Sequence, residues 1–162
     1  MTSIFLLLLL IILVILSGFL SGSETAITAT SKARILYKKK KGSKRAGYVL
    51  ELLDKKDNVI STLLLSNNLV NILASSLATA FFYDLFGVEG IFYATLIMTV
   101  VIVIFAEVLP KTYAINRPNR TALFISPIIY YLNKTLFVFS SDKARLKENV
   151  VLPSDGLDEV TI

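Results

Sequence analysis

From Ile4 to Leu16 the chain carries no polar residue, and its apolar character runs on through Ser17-Gly18-Phe19-Leu20-Ser21. A second apolar stretch covers residues 59–83, where Ser66, Asn67, Asn68 and Asn71 stand among apolar neighbours. A third runs from Val88 to Leu109 and is closed by Pro110. Much of this pattern lacks the one-sided apolar stripe that a helix on a water-soluble core displays. At about 1.5 Å per residue, runs of roughly 20 residues cross a hydrocarbon core of about 30 Å. The pattern therefore predicts an all-α membrane protein with three transmembrane helices, near residues 4–28, 59–83 and 88–109. A cleaved signal peptide is the alternative for the first run. It would need a basic leader, which Met1-Thr2-Ser3 does not supply.

The connections predict the topology. Residues 31–57 hold ten lysines and arginines, including the run Lys38 to Lys41. The link between the second and third spans carries Asp84 and Glu89 and no basic residue, while Lys111, Arg117 and Arg120 follow the third. Basic loops stay in the cytoplasm. The expected arrangement is a multi-pass plasma-membrane protein with its N-terminus outside and its C-terminus in the cytoplasm. The lysine run could suggest nucleic acid, but an anionic leaflet beside it already accounts for the charge, so membrane lipids are the expected partner. Residues 119–139 are apolar yet interrupted by Pro127 and Asn133, and Asn119, Ser126 and Asn133 recur every seventh position. This spacing makes a polar stripe on one face and predicts a cytoplasmic interfacial helix, with Tyr130 and Tyr131 at headgroup level. Residues 141–162 read as a polar tail.

Composition narrows the chemistry. The 162 residues are 54% hydrophobic, with a net charge of +5 and neither cysteine nor histidine. Thiol and imidazole catalysis, tetrahedral zinc and iron–sulfur ligation are thereby disfavoured, and an enzyme is not expected. A metal here would need oxygen ligands, which suits hard cations.

Polar groups inside a bilayer are costly unless paired, so their positions carry information. At 100° per residue Ser17, Ser21 and Glu24 fall within about 60° of one another. Gly18 and Gly22 form a neighbouring small face that lets another helix approach closely. Asn67 and Asn71 lie one turn apart, about 12 and 18 Å above the start of their span. The third span contributes Glu107 near its inner end. All gather between the midplane and the cytoplasmic face. Pro110 cannot donate to the Ala106 carbonyl, and carbonyls of residues 111–114 are expected to be exposed where the helix breaks. Such a set of neutral oxygens with a nearby carboxylate suits Mg²⁺, and Na⁺ would accept the same donors. The plainer explanation is that these side chains only hydrogen-bond between helices, and that Glu107 pairs with Lys111.

Three stretches carry a resemblance. Residues 17–26, SGFLSGSETA, residues 65–72, LSNNLVNI, and residues 105–112, FAEVLPKT, resemble in order the motifs of the CNNM/CorC membrane domain. Ala106 departs from the glycine more usual there. The resemblance spans about residues 4–140. It implies a homodimeric Mg²⁺ exporter, with Na⁺ influx as the driving force and an ion site of span-one serines, span-two asparagines, a span-three glutamate and backbone carbonyls. Carried over by motif, these are Ser17, Ser21, Asn67, Asn71, Glu107 and a carbonyl after Pro110, at Tyr113. Ser23 is the alternative to Ser21. A membrane anchor or sensor without transport of its own is the competing function. Members usually continue into cytoplasmic CBS modules that bind adenine nucleotides. Those modules are absent here, and Leu157 to Ile162 reads as the start of a further element.

Overall fold

The computed structural model describes residues 2–148. Helix α1 (Thr2–Ala29) is the central element, and every later membrane-level helix packs on it or on its partner α4 (Lys56–Phe86). Near its end the hydroxyls of Thr25, Thr28 and Thr30 donate to carbonyls four residues back, so polar side chains are accommodated without breaking the helix. Lys56 Nζ donates to the Thr28 carbonyl at 3.1 Å, which caps α1 and sets the start of α4 level with it.

Between them lies a helical hairpin, α2 (Lys32–Lys40) and α3 (Lys44–Asp54). Its turn requires glycine. Gly42 has φ 86°, and the Ser43 and Gly42 amides close back onto the Lys38 and Lys39 carbonyls, the two-bond cap that a left-handed residue permits. Gly87, at φ 63°, ends α4 before α5 (Glu89–Val101).

The third apolar helix departs from its expected end at Pro110. After α5 come a π-helical turn, Ile102–Val108, and α6 (Leu109–Asn116), with no break between them. The Leu109 amide bonds to the Ile104 carbonyl, five residues back. The wider π turn takes up the proline without stopping the helix. Three helical stretches are long and apolar enough to cross a membrane, Ile4–Ala29, Lys56–Phe86 and Glu89–Asn116. Among the described residues there is no strand.

The largest buried cluster sits at the basic-loop end. There Ile27 of α1, Ile35 of α2, Val49 and Leu52 of α3, Val59 and Leu63 of α4 are joined by Ile125 and Ile129 of α7 (Pro118–Glu148). A smaller cluster of Leu10, Ala74, Ala78 and Met98 lies toward the other end.

Helix α7 runs past the expected boundary near 139, and the part of the predicted tail beyond 148 lies outside the described residues. Pro127 does not interrupt it. The amide it lacks would have met the Leu123 carbonyl, and Ser126 Oγ lies 3.2 Å from that carbonyl instead. The polar stripe of α7 faces the protein. Asn119 accepts from the Ser31 amide at 3.2 Å, and Ser126 is fully buried against the Arg45 carbonyl. Phe124, Ile128 and Tyr131 occupy the opposite face and are exposed. An apolar outer face over a polar inner one suits a helix lying against lipid.

Candidate cation site

Two helices meet at the deepest polar point of the molecule. Ser17 Oγ of α1 lies 2.8 Å from Asn67 Oδ1 and 2.6 Å from Asn71 Oδ1 of α4. Ser17 is fully buried, Asn67 nearly so, and Asn71 half-buried. The helix repeat makes this possible: Asn67 and Asn71 are one turn apart, so both amides lean toward the same spot on α1. One hydroxyl proton serves one of the two amide oxygens at a time. Three oxygens thus converge with fewer protons than close contacts, in a place where water is scarce.

Ser21, one turn further along α1, is fully buried, and its Oγ has no hydrogen-bond partner. A buried hydroxyl without a partner is costly and points to a missing ligand. Ser23 differs. It is equally buried, but its hydroxyl donates to the Phe19 carbonyl at 2.6 Å, an ordinary bond within its own helix. Both oxygens keep lone pairs; Ser21's is the one that no bond within its own helix holds.

The glycine face of α1 meets the third span. A Cβ placed on Gly18 would stand 3.2 Å from the Phe105 carbonyl oxygen and 3.2 Å from Pro110 Cγ. At Gly22 it would stand 3.3 Å from Pro110 Cβ and 3.4 Å from the Pro110 carbonyl oxygen. Only hydrogen fits in both places without a shift. Within the π turn each amide reaches five residues back, so the residue matched to the Phe105 carbonyl is Pro110, which has no N–H. This register leaves the Phe105 carbonyl without that amide, one residue before the Ala106 carbonyl that the sequence singled out. The Phe105 carbonyl lies against Gly18, beside Ser17.

Other expected ligands are placed less directly. Glu107 sits half-buried on the π turn and has neither a hydrogen bond nor an ion pair among the described residues. The expected pairing with Lys111 is not among the ion pairs of these residues. Tyr113 has an exposed ring, and its carbonyl accepts from the Arg117 amide at 3.2 Å within the closing turn of α6. Among the described residues no cluster of three or more acidic side chains gathers to hold a metal. The chemistry on offer is neutral oxygen with one carboxylate nearby.

The apolar-span spacing already carried the Asn67 and Asn71 stripe through Ala74, Ser75 and Ala78; what sequence reasoning missed lies beyond, at Thr79 and on the third span. The row Asn67, Asn71 extends every fourth residue to Ser75 and Thr79 of α4. With Thr95 and Thr99 of α5 these line a half-open groove of about 340 Å³. Thr79, Thr95 and Thr99 donate to carbonyls of their own helices. The fourfold spacing on both helices was the available signal.

Known proteins match this chain. The cyclin M transmembrane N-terminal domain matches over residues 8–148. The UPF0053 inner membrane protein YfjD of Escherichia coli is 40% identical over 129 residues, 73% of this chain and 30% of that protein. A UPF0053 protein of Haemophilus influenzae is 38% identical over 124 residues, 76% of this chain and 30% of its own length. A chloroplastic DUF21 domain-containing protein of Arabidopsis thaliana is 31% identical over 124 residues, 75% of this chain and 18% of its own. The chain thus spans less than a third of the length of these relatives.

Proposed function

The chain belongs to the cyclin M transmembrane domain family, and from that premise we propose that it is the membrane domain of a Mg²⁺ exporter. The observation that carries this reading is the three-oxygen meeting of Ser17, Asn67 and Asn71 beside the unpartnered Ser21 hydroxyl. Octahedral Mg²⁺ holds its ligands at about 2.0–2.1 Å, which puts neighbouring ligands about 2.9 Å apart. The Ser17–Asn67 and Ser17–Asn71 separations, 2.8 and 2.6 Å, are close to that edge. Calcium, at about 2.3–2.6 Å in a pentagonal ring, would put neighbouring oxygens about 2.7–3.1 Å apart, so the choice of Mg²⁺ over Ca²⁺ rests on the family resemblance.

In this reading Mg²⁺ reaches the site from the cytoplasm and exchanges part of its water shell for Ser17, Ser21, Asn67 and Asn71. The Phe105 carbonyl, packed against Gly18, is a further oxygen assigned to the set in this reading. Glu107 supplies negative charge at the inner end of the third span. Release outward follows when the third span shifts against the glycine face of α1. Sodium influx as the driving force, a homodimer, the plasma membrane and an outside N-terminus belong to the same proposal. Their support is the family resemblance and the distribution of basic residues. Regulation by nucleotide would require CBS modules, which residues 1–162 do not include.

Efflux from Mg²⁺-loaded proteoliposomes tests the reading. Asn71→Ala removes one of the converging oxygens and should abolish flux. Unchanged flux would remove the assigned site. The anchor or sensor alternative draws on the same contacts, because a Ser17 hydroxyl shared between two amides also fastens α1 to α4. Calorimetric titration separates them: saturable Mg²⁺ binding lost in the Asn67→Ala/Asn71→Ala chain supports transport, and no binding supports the anchor.

A further inference from the structure

We propose that the α2–α3 hairpin is a docking surface for anionic phospholipid headgroups of the cytoplasmic leaflet. The inference rests on the inward orientation of this hairpin and not on ion transport.

Residues 32–45 contain eight lysines and arginines and no acid. Lys38 to Lys41 are all exposed, and with Lys44 and Arg45 they make no ion pair among the described residues. Their placement limits what they can meet. Helix α2 starts after a two-residue link from α1, and Lys56 ties the same level of α1 to the start of α4. A nine-residue helix is about 14 Å long, so the lysine run lies within about two screening lengths of the bilayer boundary.

The helix is also amphipathic in an unusual sense. Ile35 is fully buried and anchors α2 to the core. On the opposite side Ala33, Leu36, Tyr37 and Lys40 share an arc of about 100°. Leu36 is 46% exposed and Tyr37 59%, a poor arrangement in water. Apolar side chains edged by lysine are what an interfacial helix presents to the boundary between headgroups and acyl chains. Lys41 Nζ stands 4.6 Å from the centre of the Tyr37 ring, which holds charge and ring together.

The hairpin also encloses space. A groove of about 480 Å³ is lined by Lys39, Lys44, Ser43 and Tyr48, with the Glu51 carboxylate as its one acid. Lys44 and Arg45 occupy the first turn of α3, where the helix dipole disfavours cations, and Ser43 makes no capping bond there. A phosphate group in the groove offsets both. Charge, the exposed Leu36–Tyr37 pair and the groove all point to a phospholipid and not to a polyanion in solution.

The chain has no tryptophan, so Tyr37→Trp places a single reporter on the surface. The full chain is reconstituted in nanodiscs of phosphatidylcholine alone or mixed with phosphatidylglycerol. The expected result is blue-shifted emission shielded from acrylamide in the mixed discs, reversed at about 1 M salt, where the screening length falls to about 3 Å. In the same chain with Lys38→Gln, Lys39→Gln, Lys40→Gln and Lys41→Gln, the ratio of phosphatidylglycerol to phosphatidylcholine that co-purifies should fall at least about fivefold. Emission that is identical in the two discs overturns the proposal, as does an unchanged lipid ratio. So does RNA binding in detergent that the same four substitutions abolish while the lipid ratio holds. The salt titration needs no lysine replaced, so it reads the surface even if the variant folds poorly. Flux is no part of these readouts, and a failed export experiment leaves them standing.

Discussion

Replacing Gly18 by alanine tests the close approach of α1 to the third span. The added Cβ would meet the Phe105 carbonyl oxygen and Pro110 Cγ, each at 3.2 Å. One is main chain and the other a closed ring, so neither swings aside. Comfortable contacts of carbon lie nearer about 3.5–4.0 Å, and the helices must part by a few tenths of an ångström. Overpacking of this kind costs about 1–3 kcal/mol. Helix propensity returns about 0.5–1 kcal/mol. The net loss is about 0–2.5 kcal/mol, centred near 1 kcal/mol, which lowers the melting temperature by roughly 2–4 °C for a chain of this size. Gly47→Ala is the control. It lies in α3, and a Cβ there meets nothing within 4 Å, so only the propensity gain applies. Melting in detergent, followed by fluorescence-detected size exclusion, should move the two variants in opposite directions.

The same displacement reaches the oxygens. Ser17 adjoins Gly18, so a shift of α1 there also moves the Ser17 contacts with Asn67 and Asn71. Magnesium tolerates little departure from ideal geometry. The rise in melting temperature on adding Mg²⁺, about 2.7 kcal/mol at a hundredfold excess over the dissociation constant, should shrink in Gly18→Ala and persist in Gly47→Ala. A Gly18→Ala chain that melts at or above the wild type and keeps its full Mg²⁺ response would refute the argument.

Ser21→Ala should weaken Mg²⁺ binding at least about tenfold by calorimetry, because it removes an uncommitted oxygen. Ser23→Ala should leave binding unchanged, since that hydroxyl is turned onto the Phe19 carbonyl of its own helix, and equal effects would undo the distinction. Pro110→Ala supplies an amide for the Phe105 carbonyl; it should raise stability by about 1 kcal/mol in thermal melts and lower Mg²⁺ efflux, and undiminished efflux would show that this carbonyl is not used. Tyr130 of α7 lies tilted against Tyr48 of α3, ring centres 4.9 Å apart, and the Glu51 carboxylate beside it pushes its phenol up. A raised value means the α3–α7 contact contributes fully below the ordinary tyrosine value, about 10, and weakens as pH rises through the raised one. Tyr130→Phe should remove that alkaline step from melting curves, and an identical curve would discount it.

The three spans were legible because uninterrupted apolar runs of this length have few other uses. Their ends were less so. Pro110 reads as a stop, and the register change that absorbs it involves backbone bonds that no side-chain pattern announces. The same shift sets the Phe105 carbonyl, one residue before Ala106, opposite the proline. Ser17, Asn67 and Asn71 could be brought together from helix periodicity and depth alone. Ser21 and Ser23 could not be told apart that way. They differ in which one bonds to its own helix, a matter of rotamer and surroundings. The stripe of Asn119, Ser126 and Asn133 was visible, but its direction was not. In water a polar stripe faces out, whereas beside lipid the same stripe turns inward.

The site has two unlike walls, and this bears on how it could work. Toward α4, α1 is fastened by side chains: Ser17 meets two amides, and separating them would strand buried oxygens. Toward the third span, α1 offers glycine hydrogens against a carbonyl and a proline ring, and an apolar cluster that joins Leu10 and Val14 to Met98 and Ile102. That contact is tight in shape but contains no hydrogen bond between side chains. Sliding along it therefore costs packing alone, while parting α1 from α4 costs polar pairing as well. The π turn adds to the asymmetry, since an extra residue per turn can be passed along a helix without breaking it. On the proposed export reading the moving part is consequently the third span, and the pair α1–α4 holds the ion while it moves. Spin labels at exposed positions on α1, α4 and α5 would report this directly. With and without Mg²⁺ the α1–α5 distance should change and the α1–α4 distance should not. A reversed pattern would assign the motion to the wall that the hydrogen bonds hold.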